Sequence, residues 1–257
     1  MAWTKFPYAD TRYRYAGPAL ADHWQRLHRG DCEPFPGDPA VQEAWRSYHA
    51  GDFGQAVESG VACGLAGYNA ANKAAAIYAN YLETDDRRKC ELLLEVAKRC
   101  EELQTKAPAD ANGWYLHAYA LGRYSQSISV AKALAQGLGG KIKHSLTRAI
   151  ELQPRHADAH TALGAYHAEV IDKVGALVGG MTYGAKKSSG HELLEKALQL
   201  NPDSAIARIE FANALVMMYG KAKMKEAERL YREAAGCQPM DAMERLDVEA
   251  AKAEMAD

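Results

Sequence analysis

Pro108, Pro154, Pro202 and Pro239 each close a stretch of helix-forming residues, and they stand 46, 48 and 37 residues apart. The segment Ala149 to Pro154 returns as Ala197 to Pro202, with aliphatic side chains at matching places. Trp114, His117, Ala118 and Leu121 are matched by His160, Leu163, Gly164 and His167, and again by Arg208, Phe211, Ala212 and Leu215. A helical hairpin repeated at a near-fixed period cannot bury its apolar face alone, so copies must stack on one another. Alanine is abundant, β-branched residues are few and no window alternates with a strand's period, so the expected class is all-α.

Three regions follow in chain order. Residues 1–37 are an aromatic-rich arm (Trp3, Phe6, Tyr8, Tyr13, Tyr15) with a short helix between Pro18 and Arg29 that Gly30 stops. Large aromatics in such number need cover, so the arm is expected to pack along the first helices, pairing of two chains being the alternative. Residues 38–240 are the repeat domain. Asp38 and Pro39 read as an N-cap and first helical residue, and Val41, Ala44, Trp45 and Tyr48 mark an apolar stripe. The stretch Ala50-Gly51-Asp52-Phe53 turns the chain, Thr84-Asp85-Asp86 and then Asp110 cap later helices, and Leu93, Val96, Cys100 and Leu103 face inward between them. Residues 241–257 read as a charged helix that caps the open end.

The Trp114/Ala118 pair, Leu163 with Gly164, and the set Ala227, Tyr231, Ala234 and Pro239 resemble the tetratricopeptide repeat, as do Gly51, Phe53 and Ala56 at an earlier turn. The resemblance covers roughly residues 38–240. It implies a right-handed α-α superhelix of about five hairpins with a C-terminal capping helix. Two units exceed the usual period of about 34 by about a dozen residues. The excess falls at 122–140 and 168–190, where sequence does not separate extended helix from loop. Lys141, Ile142 and Lys143, then Ala149 to Pro154 and Leu163-Gly164, are similar in order to the helical domain of the regulator of microtubule dynamics family.

A net charge of −2 from 31 basic and 33 acidic residues gives no global field toward nucleic acid. Five widely spaced cysteines without a CxxC pair read as free thiols in a reducing compartment, and no secretory signal or membrane-spanning run is visible. A soluble cytoplasmic protein is expected. Gly139-Gly140-Lys141 fails the phosphate-loop pattern, because Ile142 follows the lysine and Ala135 stands at the first glycine position. No nucleophile elbow or paired catalytic carboxylate appears, so no enzyme and no cofactor are expected.

The repeat resemblance implies a concave groove lined by the first helix of each hairpin. By register it places Asn69, Asn72, Asn80, Asn112, Tyr115, Tyr119, Thr161 and Asn213 there. Amides can bond an extended peptide through both donor and acceptor, and tyrosine adds contact area at low entropic cost. The preferred expectation is a non-enzymatic scaffold binding a protein or peptide segment. A second reading encloses an apolar ligand or lipid behind the glycine-rich insertion, with Leu177, Val178, Met181 and Tyr183 as its wall. A third makes the chain a metal-dependent accessory factor through His156, His160 and His167, although the repeat register gives the last two a packing role. Partner identity and oligomeric state stay open.

Overall fold

The computed structural model describes residues 3–256, and among them it is all-α: fourteen α-helices, three short 3-10 segments and no strand. The chain forms two compact units. Unit 1 holds the chain up to His28, then Cys32–Gln153 and Met240–Met243; unit 2 holds Arg29–Asp31, Pro154–Pro239 and the chain from Glu244 onward.

In unit 1, helix α1 (Ala19–Leu27) precedes three hairpins. These pair α2 (Pro39–Ala50) with α3 (Phe53–Ala62), α4 (Tyr68–Tyr81) with α5 (Asp86–Lys106), and α6 (Ala111–Gln126) with α8 (Leu138–Leu152). The short α7 (Val130–Ala135) lies between α6 and α8 in sequence. Local chemistry sets the helix starts. The Asp38 side chain accepts from the Ala40 N–H at 2.8 Å, Asp85 from Arg88 at 2.7 Å, and Asp110 from Asn112 and Gly113 at 2.9 and 3.1 Å. Each satisfies donors that the first helical turn leaves open, a contribution of about 1 kcal/mol per cap. Gly51 ends α2 in the left-handed region at φ 85°, and a Cβ there would stand 2.6 Å from the Phe6 ring.

Small residues bring α3 and α4 together, for a Cβ on Gly60 would meet that of Ala71 at 2.9 Å. The alanine-rich α4 is enclosed all round, with eleven of its fourteen residues buried. Part of that cover is the N-terminal arm. Trp3 packs edge-on against Tyr78 at 4.5 Å, the Thr4 N–H donates to the Tyr78 hydroxyl at 3.1 Å, and Phe6 packs against Phe53.

In unit 2, α9 (Ala157–Val174) packs on α11 (Lys187–Leu200) and α12 (Ala205–Tyr219), and α12 pairs with α13 (Met224–Ala235). Leu194, Phe211, Leu215, Met218 and Leu230 fill the core between them. The last helix, α14 (Ala242–Glu254), buries Val248 and Ala251 against Ala205 and Ala234. The extra residues of the two long hairpins are resolved as helix. In the first, α6 runs on to Gln126 and α7 follows; in the second, α9 runs on to Val174 and α10 (Ala176–Tyr183) follows.

Glycines stand where α9 crosses α11 in unit 2. A Cβ on Gly164 would lie 2.6 Å from Leu194 Cγ and 3.0 Å from the Gly190 carbonyl, and one on Gly190 would lie 3.1 Å from His167 Cβ. Gly164→Val therefore overpacks the α9–α11 contact and should lower unfolding free energy by about 1–3 kcal/mol. Leu194→Ala, at a fully buried position, should cost about 2–5 kcal/mol. Urea titration followed by far-ultraviolet circular dichroism measures both, and unchanged midpoints would remove this crossing from the account of stability.

Candidate interaction site

Asn69 and Asn112 are each the second residue of a hairpin's first helix, on α4 and α6. Both are buried, and both turn their amide nitrogens to one carboxylate, that of Glu33. Asn112 Nδ2 donates to Glu33 Oε2 at 2.6 Å and Asn69 Nδ2 donates at 3.0 Å. Asn69 Nδ2 also reaches Asp110 Oδ2 at 3.0 Å, so one amide spans two carboxylates. An ionised carboxylate only accepts, which fixes the orientation of both amides.

Glu33 belongs to an irregular segment with prolines at 34 and 36. Trp24 Nε1 donates to the Glu33 carbonyl at 2.8 Å, and Gln42 Nε2 donates to the Pro36 carbonyl at 2.8 Å. Phe35 stands edge-on to Trp24 at 5.1 Å and is partly exposed. Side chains of four helices thus hold this strap: α1, α2, α4 and α6. In unit 2, Asp158 occupies the equivalent second position of α9. Its N–H donates to the Gly30 carbonyl at 3.0 Å, and a Cβ on Gly30 would fall 2.8 Å from the Asp158 carboxyl carbon. Arg29 pairs there with Asp203 at 2.6 Å.

The remaining first-helix candidates go elsewhere. Asn72 is fully buried against α5, accepting from Arg99 Nε at 2.6 Å and donating to Cys100 Sγ at 3.3 Å. Burial pushes the Cys100 thiol up and the Arg99 guanidinium down. Tyr115 is buried, while Tyr119 and Asn80 are half-buried. The Tyr119 ring lies under the Arg123 guanidinium at 5.3 Å, a cation–π contact. In unit 2, Thr161 is buried and bonds back to the Ala157 carbonyl within its own helix, and Asn213 accepts from Tyr231 of α13 at 2.6 Å. Asn69 and Asn112 are joined through one side chain, that of Glu33.

The insertion does not close over a chamber at its apolar residues. Leu177, Val178 and Met181 on α10 are 76, 51 and 82% exposed, and Tyr183 is half-buried. An open depression of about 550 Å³ in unit 1 is polar in character, lined by Arg14, Glu43, Arg46, Ser47 and Asp52 among others.

The three histidines considered for metal have separate duties. His156 caps α9, its Nδ1 accepting from the Ala159 N–H at 3.1 Å; His160 Nε2 donates to the Pro154 carbonyl at 3.0 Å; His167 Nδ1 accepts from the Lys186 N–H at 3.2 Å. No group of three or more His, Cys, Asp or Glu side chains suited to a metal ion occurs among the described residues.

Two constellations escaped sequence reasoning. Glu33 is one, for its partners lie 36 and 79 residues further on. The other is a buried row in unit 1: Asp241 Oδ2 accepts from His49 Nδ1 at 2.8 Å, and His49 Nε2 meets His28 Nε2 at 3.3 Å. With Asp241 ionised, His49 carries its proton on Nδ1, so in the neutral ring Nε2 accepts and His28 Nε2–H donates. Trp24 stacks on His28 at 3.9 Å and Trp45 stacks on His49 at 6.0 Å, closing the row from water. Tyr15 donates to the Met240 carbonyl at 2.6 Å, fixing the same returning segment.

Two predictions rest on these buried groups. Asp241→Leu leaves the His49 N–H unpaired and should cost about 1–3 kcal/mol in urea denaturation, whereas Asp241→Asn keeps an acceptor and should cost less. Burial also lowers the His117 and His160 pKa values below the usual imidazole value. The unfolded chain then binds more protons, so stability is full above the ordinary value near 6.5 and falls as pH drops toward the lowered folded values. The contribution is at most about 1.4 kcal/mol per pH unit for each ring. Denaturation midpoints at pH 7.5, 6.5 and 5.5 should decline, and less steeply in His117→Gln; an equal slope would exclude His117 as a source.

Comparison with known proteins places the fold. No family model matches the chain, and no curated protein matches it. The crystal structure of a thermophilic TPR protein from Thermus thermophilus is similar, with a TM-score of 0.57 at 17% identity, covering 83% of this chain and 97% of that one. The likeness to the regulator of microtubule dynamics repeat rests on the sequence motifs alone. Among the described residues no helix is long and apolar enough to cross a membrane. This chain is an all-α assembly of hairpins similar in fold to tetratricopeptide repeat proteins.

Proposed function

We propose that this chain is a non-enzymatic interaction scaffold that holds a segment of a partner protein along the first helices of its hairpins. One observation carries the reading: side-chain amides at repeated positions of α4 and α6 already hold Glu33, a residue of an irregular peptide segment. A surface that binds chain in this way is suited to binding a partner's chain, and the TPR-like fold agrees with such a role. Tyr119 and Asn80 are the half-buried first-helix residues that a longer segment would touch. The free cysteines suit a reducing compartment, so we assign the protein to the cytoplasm.

Affinity capture with the full chain, followed by titration of the purified partner, tests the proposal. Tyr119→Ala and Asn80→Ala should each weaken binding by about 1–2 kcal/mol, the usual range for a contact that matters. Leu94→Ala, on the exposed part of α5, should leave binding unchanged. The reading fails if no protein segment binds, or if Leu94→Ala weakens binding as much as Tyr119→Ala.

A further inference from the structure

Leu177, Val178 and Met181 project from unit 2 because of what lies on the other side of α10. Gly179 is buried there, and a Cβ on it would stand 3.1 Å from Val170 Cγ1 on α9 and 3.6 Å from Ala185 Cβ. The Ala185 N–H donates to the Gly179 carbonyl at 3.0 Å. Glycine thus seats α10 closely on α9 and leaves the larger side chains uncovered. Leu177 and Met181, one turn apart, share a side of the helix.

Lysines gather beside them. The turn after α10 carries Lys186 and Lys187. The Lys187 ammonium donates to the Met218 carbonyl and lies 5.2 Å from the centre of the Tyr219 ring, at the end of α12. Ala185 and Met218 share one core cluster. The α10–α11 turn therefore adjoins the α12–α13 turn, which adds Lys221, Lys223 and Lys225. Lys223 pairs with Glu226, whereas Lys186, Lys221 and Lys225 are exposed and have no acidic partner among the described residues. Residues 174–190 and 211–225 hold these five lysines and no aspartate or glutamate, in a chain of net charge −2. Val216, Met217 and Met224 add partly exposed apolar surface from α12 and α13.

From this we infer that this edge of unit 2 docks on a membrane surface bearing anionic phospholipid, with Leu177 and Met181 entering the acyl boundary. Lysine stems lie along the apolar layer while their ammonium groups meet the headgroup phosphates. An acidic protein or a nucleic acid would satisfy the lysines and leave Leu177 and Met181 in water; a bilayer answers both. Neither part suffices alone, because eight helical residues bury little hydrocarbon and salt weakens the lysines, so docking needs the two together. The cytoplasmic leaflet, with its anionic lipid, is the surface of matching charge. This property goes beyond the scaffold reading, whose residues Tyr119 and Asn80 belong to unit 1.

Co-sedimentation of the full chain with vesicles tests the inference, comparing phosphatidylcholine alone with phosphatidylcholine containing about one-third phosphatidylserine. The anionic vesicles should bind about tenfold more tightly or better at about 0.1 M salt, and about 0.5 M salt should weaken that binding severalfold. Lys186→Gln combined with Lys221→Gln and Lys225→Gln should lower binding about tenfold, as should Leu177→Ser combined with Met181→Ser. All five side chains are exposed, and circular dichroism checks that the variants keep their helix content. Leu134→Ser, at an exposed apolar position on α7 of unit 1, should leave binding unchanged. Equal binding to the two kinds of vesicle overturns the inference. Undiminished binding by the Leu177→Ser, Met181→Ser chain also overturns it, since only a charge patch would then be at work. So does a chain that ignores vesicles and binds polyglutamate or RNA through these lysines.

Discussion

Unit 1 depends on hydrogen-bonding a carboxylate that has no access to water. Asp241 is 2% exposed, and His49, 192 residues earlier in the chain, is its partner at 2.8 Å. An isolated carboxylate so placed would be several kcal/mol out of balance, so the imidazole N–H is a condition of the packing and not an addition to it. His49 in turn needs a donor at its other nitrogen, and His28 supplies one at 3.3 Å. Three polar side chains from distant places are thereby bound to one another's proton positions. The aromatic rings of Trp24 and Trp45 follow, because they wall off the row.

Small residues set the closest helix contacts in both units. Gly60 against Ala71, and Gly164 against Leu194, let backbones approach more closely than larger residues allow. The first helical turns of α4 and α6 carry an asparagine in the same register. Repetition of the fold therefore repeats a hydrogen-bonding position. That is how a structural repeat becomes a chemically regular surface, which here meets Glu33.

Much of the fold was legible because it is written locally. Asp38, Asp85 and Asp110 cap helices, and Gly51 takes the left-handed turn, each through atoms within a few residues. The closing prolines gave the register of the hairpins. Helix phase was harder to read on α4, where alanine surrounds the axis and no apolar stripe points inward. Asn72 consequently faces Arg99 and Cys100 on α5, although the repeat resemblance implied a place in the groove with Asn69. Asn213 meets Tyr231 for a related reason: α12 is apolar on most of its circumference, and its polar residues show no clear side. The insertions were ambiguous because glycine and apolar residues permit either loop or helix, and α10 leaves Leu177 and Met181 exposed in place of enclosing a ligand. Glu33, His28, His49 and Asp241 carry no local pattern at all, since each matters only through residues far along the chain.

The return of Met240–Met243 to unit 1 sets an order of events at the ribosome. Every helix of the first three hairpins has been made by residue 152, yet the carboxylate that answers His49 is residue 241. A nascent chain stopped anywhere between the two positions holds a His49 N–H without its Asp241 acceptor and a Tyr15 hydroxyl without its Met240 carbonyl. Completion of unit 1 is thus deferred until residue 241 has emerged. Prematurely terminated products are left with an unfinished interior, a difference that proteases of the quality-control machinery are able to recognise.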